Sequence, residues 1–134
     1  QDHLAEARFK AALEKNPNDP YTLNYLGYWW ADDGRNLEEA IKLIEQAVRL
    51  RPSSGYFVDS LGWVHYKLGN YDLAVAFLEK ATMLEPMDAV ITGHLGDAYW
   101  ETGRFAEARF KWQYALTIAT ADELKAEFTA KLKQ

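Results

Sequence analysis

Three histidines, His3, His65 and His94, are the side chains of this sequence best suited to proton transfer or metal binding near neutral pH. Read on helices, His65 and His94 could approach each other across adjacent elements, and a nearby carboxylate would then complete a metal or acid–base site. The spacing does not favour this. No His-Glu-x-x-His run exists, and the absence of Cys excludes thiolate zinc sites, disulfides and thiol nucleophiles. A packed or hydrogen-bonded histidine is the simpler expectation for both. Ser60 follows Asp59 directly, but adjacent helical residues point to different faces and cannot act as nucleophile and base. Gly93 and Gly96 resemble part of a phosphate loop, yet they fall mid-helix with no preceding strand. Asp32-Asp33 and Glu38-Glu39 read as solvated helix ends. The chain is therefore expected to be no enzyme, with no metal and no cofactor.

The bulk properties point the same way. The chain has 134 residues, 49% apolar and 26% charged, enough for one globular domain with a core. A formal charge of −5 argues against nucleic acid as a partner. No apolar run approaches the ~18 residues of a membrane span, so membrane insertion of these residues is not expected. Aromatic residues reach 14%, with five Trp, eight Tyr and six Phe, and their placement is the informative question.

The elements that place them repeat. Leu-Gly recurs at Leu26-Gly27, Leu61-Gly62 and Leu95-Gly96, and a second glycine follows at Gly34, Gly69 and Gly103. Paired alanines recur at Ala5 and Ala12, Ala40 and Ala47, Ala74 and Ala81, Ala108 and Ala115, followed by Pro17, Pro52 and Pro86, with Thr120 in the last such place. The first glycine column and the alanines permit close helix approach. The second glycine column suits a left-handed helix end. The prolines stop the following helix. Stripes such as Ile41, Ile44, Val48 and Val75, Leu78, Ala81 have helical spacing.

These columns resemble the tetratricopeptide repeat family, a helix–turn–helix unit of 34 residues, over the whole chain. The resemblance implies an all-α fold, a right-handed superhelical array of antiparallel helix pairs. A half repeat would occupy 1–19, full repeats 20–54, 55–88 and 89–122, and a capping helix 120–134. The first full repeat carries one extra residue, placed near Arg35-Asn36. The first helix is expected to begin near Asp2, with Leu4, Phe9 and Ala12 facing an absent partner, as if cut from a longer protein. Thr120 and Glu123 form a capping-box pattern, and Leu124, Phe128 and Leu132 share the face that would cover the last repeat.

In this family the first helices line a concave groove that binds peptides. Carried over by position, the groove residues are Tyr21, Asn24, Tyr28, Ala31 and Asp32, then Tyr56, Asp59, Trp63, Tyr66 and Lys67, then Val90, Gly93, Asp97, Trp100 and Glu101. Six are Tyr or Trp, four are acidic and one is basic. Such a trough implies a protein or peptide partner with apolar anchors and some Lys or Arg. Tyr28, Trp63, Tyr66 and Trp100 would be the anchors, and Asp59, Asp97 and Glu101 the selectors of a basic partner. Trp29, Trp30, Trp112 and several Phe are expected in the core. The cationic clamp by which some members hold a terminal carboxylate has no counterpart here, since those places hold Asn24, Tyr28, Ser60, Val90 and His94. The second expectation is self-assembly into a homo-oligomer through the open N-terminal edge. The runs Asp59–Trp63, His94–Trp100 and Glu107–Phe110 also resemble the C-terminal repeats of long proteobacterial repeat proteins, many exported or lipid-anchored. That resemblance implies an adaptor or scaffold in the periplasm or at the outer membrane, with the cytoplasm as alternative.

Overall fold

A computed structural model describes residues 3–134. They form eight helices, α1 (His3–Lys15), α2 (Pro20–Asp32), α3 (Leu37–Leu50), α4 (Gly55–Lys67), α5 (Tyr71–Leu84), α6 (Ala89–Glu101), α7 (Phe105–Ile118) and α8 (Asp122–Lys131). The expected helix start near Asp2 lies outside the described residues. Helices α2 and α3, α4 and α5, and α6 and α7 pack as pairs, and each pair packs on the next. The first helices α2, α4, α6 and then α8 stand side by side along one face.

The local chemistry explains the breaks. Asp19, Ser54 and Asp88 occupy one column and cap α2, α4 and α6, each side chain accepting a backbone N–H of the first turn. At the other ends Gly34, Gly69 and Gly103 have φ of 70°, 84° and 81°, a region that side chains disfavour. The extra residue of the first repeat is absorbed in the α2–α3 turn, where Asn36 also takes a left-handed conformation with φ 49°. Asn tolerates this better than most residues.

Close contact requires the first glycine column. A Cβ on Gly62 would stand 2.7 Å from Leu78 Cγ, and one on Gly96 2.6 Å from Trp112. The core follows these seams. Ile44, Leu78 and Trp112, one from each second helix, are fully or almost fully buried, as are Leu26, Leu61 and Leu95. Burying a Leu or Ile side chain contributes roughly 1.5–3 kcal/mol.

Three local expectations change. Trp30 is buried and Trp29 half-buried, but among the Phe, Phe105 and Phe110 are exposed. The Thr120–Glu123 capping box does not form, because Ala119 and Ala121 are extended and Ala121 takes the N-cap place without a side-chain bond. Phe9 does not face an empty edge. It packs forward on α2, with its ring 5.6 Å from Trp29 and 6.4 Å from Tyr25. Glu6 fixes the same seam by accepting the Trp30 indole N–H at 2.6 Å and pairing with Arg35 at 3.2 Å.

Candidate binding groove

Helices α2, α4, α6 and α8 bear three adjoining cavities along one face. The first, about 540 Å³, lies over α2 and α4 and reaches the start of α6. The second, about 360 Å³, shares Tyr28 and Val90 with the first. The third, about 220 Å³, shares Asp97 and Lys131 with the second. Ala31, one of the fifteen residues expected at the groove, is fully buried, and the polar and aromatic ones divide into three groups along this row.

At the first cavity, Tyr21, Asn24, Tyr28, Tyr56 and Asp59 come together. Tyr21 and Tyr56 are more than half exposed, while Asn24 is 8% exposed and its Oδ1 has no hydrogen-bond partner among the described residues. The charge of Glu85, with that of Asp88 behind it, raises the Tyr56 hydroxyl above its usual range. Burial does the same for Tyr28, helped by Asp32 and Asp59.

At the middle, Trp63 is not the exposed anchor expected of it. It is 8% exposed. Its ring stacks on Tyr66 (centroids 4.7 Å apart, planes within 4°) and on His94 (3.9 Å, 15°). The Lys67 ammonium stands 5.1 Å from the ring centre. The physical reason is the stacking of α6 on α4, which brings His94 over a face that α4 alone would leave open. Asp59 is likewise engaged, its Oδ1 2.8 Å from His94 Nδ1. Burial alone would depress the His94 pKa, but the charge and hydrogen bond of Asp59, with Asp97 adding, outweigh it and hold the imidazole above its ordinary value. His65 finds other partners, Asn70 at 3.3 Å and the Phe77 ring at 5.5 Å. The two histidines therefore do not share a site, and among the described residues no group of three His, Asp or Glu could hold a metal ion.

At the far end, Asp97 is occupied by the protein itself. It accepts Lys131 Nζ at 2.8 and 2.9 Å and the Trp112 indole N–H at 3.1 Å. The same ammonium bonds Glu127 at 2.9 Å and stands 6.0 Å from the Trp112 and Phe128 ring centres. Phe128 lies directly on Gly93, where a Cβ would strike the ring. Thus α8 fills this end of the groove, and Asp97 is not free to select a partner. Trp100 is half-buried between Phe105 and Trp112, and Glu101 and Lys67 are exposed. Tyr66 is half-buried, and burial together with Asp97 and Glu101 raises its hydroxyl.

Position-by-position reasoning missed Tyr25 and Asp88, which also line the first cavity. Asp88 could have been found as the third member of the capping column. Tyr25 carries no periodic signal, because its equivalents His94 and Phe128 face inward against the preceding repeat.

The tetratricopeptide repeat family model matches residues 3–55, 31–89 and 60–123. The chain belongs to the tetratricopeptide repeat family. A repeat-containing protein of Pseudomonas aeruginosa is 33% identical over 92 residues, covering 69% of this chain and 15% of that protein. One from Methanocaldococcus jannaschii is 30% identical over 131 residues, covering 96% of this chain and 22% of that protein. The chain thus spans less than a quarter of the length of these curated relatives. Among solved structures it is similar to MamA (TM-score 0.72, 25% identity, 85% of this chain and 66% of that one). It also shares the fold of the Yersinia enterocolitica type III secretion translocator chaperone SycD (TM-score 0.76, 21% identity, 85% and 89%). As a tetratricopeptide repeat array, the chain is a helical scaffold of the protein-interaction type. No helix among the described residues is long and apolar enough to cross a membrane.

Proposed function

We propose that this array is a non-enzymatic binding module that captures a peptide or protein segment in the groove over α2 and α4. The observation that carries the reading is the first cavity, where Tyr21, Tyr25 and Tyr56, each more than half exposed, surround apolar floor residues such as Phe57 and Ile91. Large rings held open to solvent around a buried floor are costly to leave unpartnered and are the usual centres of interface energy. The fold shared with a type III secretion translocator chaperone supports a protein partner. The anchors in this reading are Tyr21, Tyr28 and Tyr56, while Trp63 lines the adjoining second cavity. An adaptor in an exported or membrane-associated parent is the setting that the sequence resemblance suggests.

A random-peptide library selected on the immobilised chain tests the reading. It expects enriched peptides whose binding is abolished by the double variant Tyr21→Ala, Tyr56→Ala. Peptides that bind this variant as well as the parent would place recognition elsewhere, and a selection that enriches nothing would sink the reading.

A further inference from the structure

The second and third cavities are acidic and aromatic, and both contain an ammonium supplied by the molecule. Lys131 sits on Asp97 and Glu127 beside the Trp112 and Phe128 rings. The first cavity has the same kind of lining. Four tyrosines, Tyr21, Tyr25, Tyr28 and Tyr56, share it with Asp59 and Asp88, and neither Lys nor Arg is among its lining residues. Asp59 already has His94 as counterion. Among the described residues, Asp88 has no ion pair. Its Oδ1 accepts the Ile91 N–H at 2.9 Å as a helix cap, which leaves its charge in place. Glu85 adds a second carboxylate, lining a neighbouring hollow with Asp88 and Tyr56. In the floor, the Asn24 Oδ1 is an acceptor without a donor among the described residues.

We propose that the first cavity takes the cationic side chain, arginine or lysine, of a segment lying in the groove. The inference rests on the binding reading above and adds the chemistry of its central contact. Tyrosine faces attract a cation within about 6 Å of the ring centre, and neighbouring carboxylates supply the counter-charge. The volume accommodates the basic side chain together with flanking apolar atoms against Phe57, Val90 and Ile91.

Backbone-amide NMR titrations with N-acetyl-arginine amide and N-acetyl-lysine amide test this, with N-acetyl-citrulline amide as the neutral isostere and tetramethylammonium as a free cation. The expected result is saturable shifts centred on Asn24, Tyr28, Tyr56 and Asp88, with citrulline binding at least tenfold more weakly. Asp88→Asn keeps the helix cap while removing the charge, and should weaken the arginine and lysine probes about tenfold. Equal binding of citrulline, binding of tetramethylammonium alone, shifts centred on α8, or indifference to Asp88→Asn would each overturn the proposal. A library peptide that occupies the groove without a basic residue would also overturn it while leaving the binding reading standing.

Discussion

Asp59 and His94 meet at 2.8 Å across the seam between α4 and α6, 35 residues apart in the chain. The pair joins the fifth place of one repeat to the sixth of the next. The following seam makes the same register with Gly93 and Phe128, a steric fit in place of an ionic one.

The ion pair gives folding a pH dependence with a definite sign. The His94 pKa is raised on folding above the ordinary 6.5. Its contribution is therefore complete below pH 6.5 and disappears as pH rises through the folded value. Thermal unfolding followed from pH 5.5 upward should show a melting temperature that declines above 6.5. Asp59→Asn should flatten that decline and cost about 3 kcal/mol at pH 6, since it removes the buried partner that holds the imidazole protonated and hydrogen-bonded.

Trp63 and Tyr21 should separate under mutation. Trp63→Ala opens a cavity between α4 and α6 and should destabilise the chain by about 3–5 kcal/mol in urea denaturation. Tyr21→Ala removes a ring that is 54% exposed, so stability should change by less than about 0.5 kcal/mol. A groove-bound peptide should nevertheless lose about 2 kcal/mol of affinity with Tyr21→Ala by calorimetry.

Gly93→Val should drive Phe128 out of its seat. Overpacking of this kind costs about 1–3 kcal/mol. The loss should be local, seen as faster hydrogen exchange and earlier proteolysis in α8 while α2 to α5 keep their protection.

Asn36 tests the turn that holds the extra residue. Asn36→Ala should cost about 1 kcal/mol in chemical denaturation, because the left-handed conformation there disfavours residues with a Cβ and Asn tolerates it better than Ala. Asn36→Gly should be close to neutral.

The architecture was legible because its steric requirements recur. Gly62 against Leu78 and Gly96 against Trp112 are the same contact one repeat apart, so their columns align in the sequence. The surroundings of the groove residues were less legible. Whether Trp63 faces solvent depends on the side chain one repeat later, which is His94 here and Ser60 or Phe128 at the equivalent places. Asp97 read as a free acid because its partner, Lys131, follows a turn whose capping pattern does not form. Burial of a groove residue such as Trp63 is set partly by the neighbouring repeat, and position within one repeat carries no record of that neighbour.

Lys131 also gives the groove a direction. A trough of repeated units with two open ends would allow a bound segment to slide by one unit or to lie in either polarity at similar energy. With Lys131 and Phe128 seated at one end, the sites along the trough are no longer equivalent, and a segment in the first cavity meets a stop on the α8 side. Under the proposed binding reading, the array would act as a measuring edge with a fixed origin, sorting partners by how far their anchor residues lie from that stop as well as by what those residues are.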